Sequence, residues 1–280
     1  MIVVDTIDSL RAFLDIVRAE GKSIGLVPTM GALHEGHASL VKRSVEENSV
    51  TVVSVFVNPT QFNDKGDLER YPRMLDADCC LVEGLGADCV FAPSVEEVYP
   101  EPDTRMFDFS PLDKVMEGQY RPGHFNGVAQ IVSKLFMYVE PHRAYFGEKD
   151  FQQLAIIREM VRQLNLDLEI VGCPIVREAD GLALSSRNAL LSSDQRTIAL
   201  AISKTLFASL DYAKEYSLAE TKLMVEQAII ATEGLELEYY EIVDGTSLQM
   251  VNSWVEADCI VGCIAVYCGK VRLIDNIRYK

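Results

Sequence analysis

Long apolar runs are missing from this chain of 280 residues. A stretch such as 50–57 is far short of the ~20 residues that a membrane helix requires, so no membrane partner is expected. The first twenty residues mix acidic side chains among apolar ones. They lack the basic start and unbroken apolar core of a secretory signal, and a cytoplasmic location is the expectation. The seven cysteines include no CxxC pair, and several lie inside apolar runs, so they read as buried, reduced thiols without chemistry. Basic residues are scarce as well, with 26 Lys and Arg against 42 Asp and Glu, a formal net charge of −16 and no Lys/Arg cluster. That field repels polyanions, which argues against nucleic acid as a partner. Anionic substrates would have to be met by a few local cations and by helix N-termini.

What is present is an ordinary globular composition, 49% hydrophobic and 24% charged, on a chain long enough for two domains. No internal repeat stands out. Ile7, Leu10, Leu14 and Val17 recur at helical spacing, with Thr6 placed as an N-cap and Gly21 just past the end, so a helix is expected first. Apolar runs of strand length then alternate with helix-like segments at 24–27, 50–57, 87–92, 144–146 and 168–171. Continuous rather than alternating Val/Ile runs belong in a parallel sheet covered on both faces. The fold expected is α/β: a Rossmann-like doubly wound parallel sheet over residues 1–175, with ligands beyond the carboxyl ends of its strands. From 176 the rhythm changes. Ser192 with Gln195, and Ser217 with Glu220, form capping boxes, and strands at 237–243, 259–267 and 271–274 complete a smaller α+β C-terminal lid domain over 176–280.

Four segments carry the chemistry. PTMGALHEGH (28–37) leaves the first long strand and enters a helix, where unpaired N–H groups suit phosphate and imidazoles can donate to developing charge. A P-loop would need Lys where His37 stands, and a zinc protease would need HExxH where this chain has HExH. FVNPTQF (56–62) follows the next strand, and the carboxamides of Asn58 and Gln61 suit a small ligand bearing hydroxyls and a carboxylate. YFGEKDFQQ (145–153) sets Lys149 as a cation at a strand-to-helix turn with Gln153 one turn on. VREADGLALSSRN (176–188) sets hydroxyls beside Arg187, a guanidinium suited to a leaving pyrophosphate. Each segment also fits a plainer reading: histidines satisfying loop backbone, ordinary loop amides, a solvated lysine, a capped linker. Asp76 and Asp78 read as helix-surface carboxylates rather than metal ligands.

Taken together, these segments with YPR (71–73), RPGHF (121–125) and RLIDN (272–276) strongly resemble the pantothenate synthetases, HxGH enzymes of the nucleotidyltransferase superfamily. The likeness runs along essentially the whole chain. It implies a ligase of pantothenate biosynthesis, in the pathway to coenzyme A, that condenses (R)-pantoate with β-alanine through a pantoyl adenylate and releases AMP and pyrophosphate. It implies ATP contacts from Met30, Gly31, Ala32, Leu33, His34, Glu35, Gly36 and His37, from Gly147, Glu148, Lys149 and Asp150, and from Val176, Leu184, Ser185, Ser186 and Arg187. Gln61 and Gln153 would hold pantoate, with Gln61 also meeting β-alanine. His37, His34, Lys149 and Arg187 would be the catalytic group, Mg2+ would accompany the triphosphate on ligands the sequence leaves open, and the enzyme would be a homodimer.

The chain departs from the family pattern at Asn126 for a frequent arginine, at Thr60 for an apolar residue and at Met74 for a threonine, none of them a reactive position. Another HxGH nucleotidyltransferase, ending at a nucleotide product, is the enzyme alternative. A binding protein without turnover is the other, although His34, His37, Lys149 and Arg187 are all retained.

Overall fold

The structure, a computed structural model, describes residues 1–62 and 65–280. In chain order the strands are β1 (Ile2–Val4), β2 (Ile24–Thr29), β3 (Val50–Val55), β4 (Cys89–Phe91), β5 (Arg143–Gly147), β6 (Glu169–Cys173), β7 (Leu235–Asp244), β8 (Ile260–Cys268) and β9 (Val271–Arg278). The helices are α1 (Ile7–Ala19), α2 (Glu35–Glu47), α3 (Lys65–Arg70), α4 (Leu75–Gly84), α5 (Val95–Val98), α6 (Met116–Tyr120), α7 (His124–Val139), α8 (Phe151–Gln163), α9 (Ser193–Glu215) and α10 (Leu218–Ile230). Two compact units form. The first takes Met1–Phe109, Arg121–Glu148 and Gln153–Pro174, and the second takes Ser110–Tyr120, Lys149–Gln152 and Ile175–Lys280.

In the first unit six parallel strands run in the order β1-β4-β3-β2-β5-β6. The Val/Ile runs are continuous because β2, β3 and β4 are buried along nearly their whole length. Val27, Val53 and Val90 of the sheet pack with Leu40 and Val41 of α2 and Val82 of α4. Chain order reverses between β2 and β5, where β2 pairs with β3 on one side and β5 on the other, so the crevice expected of a doubly wound sheet opens at their carboxyl ends.

α1 begins and ends where the sequence places it. The Thr6 side chain accepts from Ser9 N, Leu10, Leu14 and Val17 are buried, and Gly21 follows with φ 68°. It is not the first element, because β1 precedes it and pairs in parallel with β4. Three residues show no periodicity to read, and only the partner strand makes them a strand. β3 stops at Val55, two residues short of the apolar run, as the chain turns into a 3-10 turn at Pro59–Gln61.

In the second unit β7, β8 and β9 form an antiparallel sheet under α9 and α10. Both capping boxes form, Ser192 with Gln195 and Ser217 with Glu220. β8 and β9 join through a tight turn, Cys268 opposite Val271, in which Gly269 takes φ 60°. Arg272 of β9 is paired with Glu117 and Glu238, and Glu117 also accepts from the Tyr239 hydroxyl at 2.7 Å. Cys89, Cys173, Cys263 and Cys268 are buried, and burial pushes the Cys89 thiol up to about 12. Among the described residues no helix is long and apolar enough to cross a membrane.

Candidate active site

Parallel pairing brings the segments that follow β2, β3 and β5 to one edge of the sheet in the first unit. After β2 the chain is tied back at once. Thr29 Oγ1 donates to Ser54 O at 2.7 Å and accepts from Gly31 N at 3.1 Å. Gly31 and Ala32 both adopt left-handed backbone, φ 77° and 51°, and the N–H groups of Ala32 and Leu33 donate to the two oxygens of Asp78 at 2.9 and 2.8 Å. Asp78 is therefore a buried residue of α4, 3% exposed, and not the surface carboxylate its acidic helix suggests, whereas Asp76 is exposed as expected.

His34 is the N-cap of α2 and His37 its third residue, and the two imidazoles form a capping box in place of the usual hydroxyl and carboxylate. His34 Nδ1 accepts from Gly36 N at 3.1 Å, and His37 Nδ1 accepts from His34 N at 3.4 Å. The rings lie 4.1 Å apart. An Nδ1 that accepts carries no proton, so the neutral tautomer of each ring bears its hydrogen on Nε2, a donor at a helix N-terminus. The plain reading of these histidines and the chemical one coincide: capping the helix fixes the tautomer that can donate.

Gln61 ends the 3-10 turn. Its Nε2 lies 3.0 Å from Met30 Sδ and its Oε1 accepts from Asn58 Nδ2 at 3.1 Å, so this carboxamide abuts the loop of 28–37. Asn58 is 1% exposed and fully employed, donating to Gly127 O at 3.1 Å and accepting from the Tyr99 hydroxyl at 2.8 Å. His124 Nδ1 stands 2.9 Å from Gln61 O, which ties the RPGHF segment to the same turn. α7 approaches so closely that a Cβ on Gly127 would fall 2.3 Å from Thr60 O. Asn126, one of the departures, accepts from Phe107 N and donates to Arg105 O, holding an extended strap against α7. Tyr99 escaped sequence reasoning and Asp78 was misplaced at the surface because their partners lie 41 and 46 residues away, and no local pattern marks such a contact.

The remaining residues divide between the units. Gly147 closes β5, Glu148 opens the 3-10 turn that follows it, and half-buried Gln153 lies on the first turn of α8, all in the first unit. Lys149, Asp150, Val176, Leu184, Ser185, Ser186 and Arg187 belong to the second. The 176–184 stretch is a small hairpin, with Leu184 N donating to Val176 O at 3.0 Å, Glu178 N to Leu182 O at 2.8 Å, and Gly181 at φ 98° in its turn. It delivers Ser185, whose Oγ accepts from Arg187 N at 3.3 Å at the start of a 3-10 turn. Arg177 forms a two-bond pair with buried Asp275 at 2.6 and 2.8 Å, and the next residue, Asn276, donates from Nδ2 to Lys149 O at 3.0 Å. The RLIDN segment thus fixes both the hairpin and the Lys149 backbone. Lys149 Nζ lies 3.4 Å from Asp150. Among the described residues no group of three or more His, Cys, Asp or Glu side chains could hold a metal ion.

A doubly wound parallel sheet whose switch point faces a helix start capped by two histidines defines a nucleotide-using α/β enzyme. The family model for pantoate–β-alanine ligase matches residues 2–278. A pantothenate synthetase of Bacteroides fragilis is 69% identical over all of this chain and 99% of its own length. The crystal structure of the Thermus thermophilus pantothenate synthetase, 45% identical, superposes with a TM-score of 0.94 over all of this chain and 99% of that one. A Francisella tularensis pantoate–β-alanine ligase complexed with β,γ ATP and β-alanine is 35% identical, with a TM-score of 0.83 over 100% of this chain and 98% of its own. The chain belongs to the pantoate–β-alanine ligase family, and it is an enzyme that joins pantoate to β-alanine.

Proposed function

We propose that the enzyme first adenylates (R)-pantoate with Mg-ATP and then transfers the acyl group to β-alanine. The observation that carries this reading is the contact of Gln61 Nε2 with Met30 Sδ, which sets a ligand-holding carboxamide against the nucleotide loop beside His34 and His37. A carboxylate held by Gln61 and Gln153 would attack the α-phosphorus in line. The P–O bond to pyrophosphate breaks, and a mixed anhydride forms. The amine of β-alanine, having lost a proton, then attacks the acyl carbon, and the C–O bond to AMP breaks. Positioning and charge neutralisation carry both steps.

Within this reading His37 and His34 donate from Nε2 to phosphate oxygens, and the helix start they cap favours negative charge. Lys149 and Arg187 are the phosphate-facing cations, and the two ties at 149 and 185 support fixed placement of each. Residues 30–37, 147–150, Val176 and 184–187 contact ATP, and Gln61 also meets β-alanine. Magnesium is proposed to accompany the triphosphate and to neutralise its β- and γ-phosphates. Residues 1–175 are proposed to bind nucleotide and pantoate, and 176–280 to serve as the smaller lid domain that withholds water from the anhydride. A homodimer in the cytoplasm completes the proposal.

Purified protein incubated with Mg-ATP and pantoate, with and without β-alanine, and followed by mass spectrometry tests the sequence of steps. Pantothenate and AMP are expected only in the complete mixture, with pyrophosphate exchange into ATP when pantoate alone is present. Pyrophosphate release with no amide in any mixture would point to a nucleotidyltransferase that ends at a nucleotide product.

A further inference from the structure

Asp78 stands outside every motif tied to nucleotide binding, yet its carboxylate holds the nucleotide loop. It is 3% exposed and accepts from two consecutive backbone N–H groups, Ala32 at 2.9 Å and Leu33 at 2.8 Å, immediately before the N-cap His34. Charge-assisted bonds of this kind are roughly twice as strong as neutral ones. They are set against a backbone that resists its own shape, because two residues in a row, Gly31 at φ 77° and Ala32 at φ 51°, are left-handed. For alanine that conformation is strained and persists only where the surroundings impose it.

The fit between carboxylate and loop is close. A Cβ on Gly31 would lie 2.9 Å from Asp78 Oδ2 and 3.0 Å from Val55 Cγ1, so the carboxylate occupies the space that the glycine leaves open. Successive N–H groups in a left-handed turn make a ready anion cradle. Here a side chain of the protein itself already fills that cradle, and the N–H groups of Ala32 and Leu33 are committed before any phosphate arrives.

We propose that Asp78 is a positioning residue for nucleotide activation: it imposes the left-handed turn at 31–32 and thereby aims the His34–His37 pair at the phosphates. The role rests on the ligase reading of the 28–37 loop. Asp78→Asn keeps the size of the side chain but offers one acceptor where two N–H groups point, with its own NH2 facing the second.

The test compares wild type and Asp78→Asn by steady-state kinetics, by calorimetric titration with Mg-ATP, and by thermal unfolding. Expected is a rise of tenfold or more in KM for ATP together with a tenfold or greater fall in kcat of pyrophosphate exchange, while KM for β-alanine stays within twofold. A merely structural aspartate would lower the melting temperature and leave that split absent. ATP constants within twofold of wild type overturn the proposal, as does an equal loss for all substrates. If the variant does not accumulate folded, amide hydrogen exchange on ligand-free wild type decides: Ala32 and Leu33 are expected to exchange at least a hundredfold more slowly than open amides, and rapid exchange overturns the clamp. Failure of the ligase reading looks different, because wild type itself would then bind ATP without forming AMP, and the titration alone would report on Asp78.

Discussion

His34 and His37 each do two things at once, and that coupling sets what substitution at either should cost. His37→Ala removes one donor from the proposed phosphate site and the acceptor for His34 N, which lies at the start of α2. Turnover should fall by about 10²–10³-fold, the usual loss when one preorganised donor to developing charge is removed, with the protein still folded. Near-normal kcat in a steady-state assay would take His37 out of the mechanism. Gln61→Ala, by contrast, should raise KM for pantoate well beyond any change in KM for ATP, because the carboxamide proposed to hold pantoate is lost while the 28–37 loop keeps its own backbone ties. An unchanged pantoate dependence would move that ligand elsewhere. Neither histidine pairing nor the role of Gln61 needed the tertiary structure to be suspected, since both lie in short segments at strand ends. Asp78 did need it. A carboxylate in the first turn of a helix is ordinarily a solvated charge near a favourable dipole, and only the packing of α4 beneath the 31–33 loop buries it.

Helices and strands were legible to the degree that their signals are local. Thr6, Ser192 and Ser217 cap their helices as the sequence patterns require, because a cap is settled within four residues. Ser192→Ala and Ser217→Ala should each destabilise by about 1 kcal/mol, read as a lowered denaturation midpoint with unchanged kinetics, since both caps serve α9 and α10, which carry none of the proposed site residues. β1 and the early end of β3 were not legible. One depends on β4 for its identity, and the other on where the Asn58–Gln61 turn must begin to meet Gly127. Gly127 carries an element-level consequence of its own. Gly127→Ala would drive a methyl group into Thr60 O and toward Gln61 Cα, 2.8 Å away, so the 59–61 turn must shift. KM for pantoate should rise by tenfold or more while the helical signal in circular dichroism persists, and an unaltered KM would show that the turn does not carry the ligand.

At the scale of the chain, charge is handled in separate places. In the first unit the Arg105 guanidinium holds the buried Asp103 carboxyl below the usual carboxylate range, with Lys134 nearby. A folded-state value below the unfolded one means that this pair stabilises at neutral pH. The contribution is lost as pH falls from about 3.9 through the lowered value. Asp103→Asn should therefore lower the melting temperature at pH 7, and the gap to wild type should close as the acid limb is descended. A gap that stays constant with pH would show that packing, not charge, is what the substitution removes. In the second unit Arg272 draws together Glu117 and Glu238, and Glu117 reaches β9 only because Ser110–Tyr120 folds with the C-terminal residues. The proposed homodimer predicts sedimentation at twice the 31.2 kDa chain mass, and a species at 31.2 kDa across micromolar concentrations would refute it.

The sequence by itself determined the class of sheet, the helix caps at Thr6, Ser192 and Ser217, the C-terminal strands and the membership of a ligase family, because apolar continuity, caps and contiguous motifs are written in neighbouring residues. Only the tertiary structure decided that β1 is a strand, that residues 110–120 and 149–152 join the second unit, and that Asp78 grips the 31–33 loop. Each of those depends on a partner tens of residues away, and burial by a distant segment leaves no local trace in the order of amino acids.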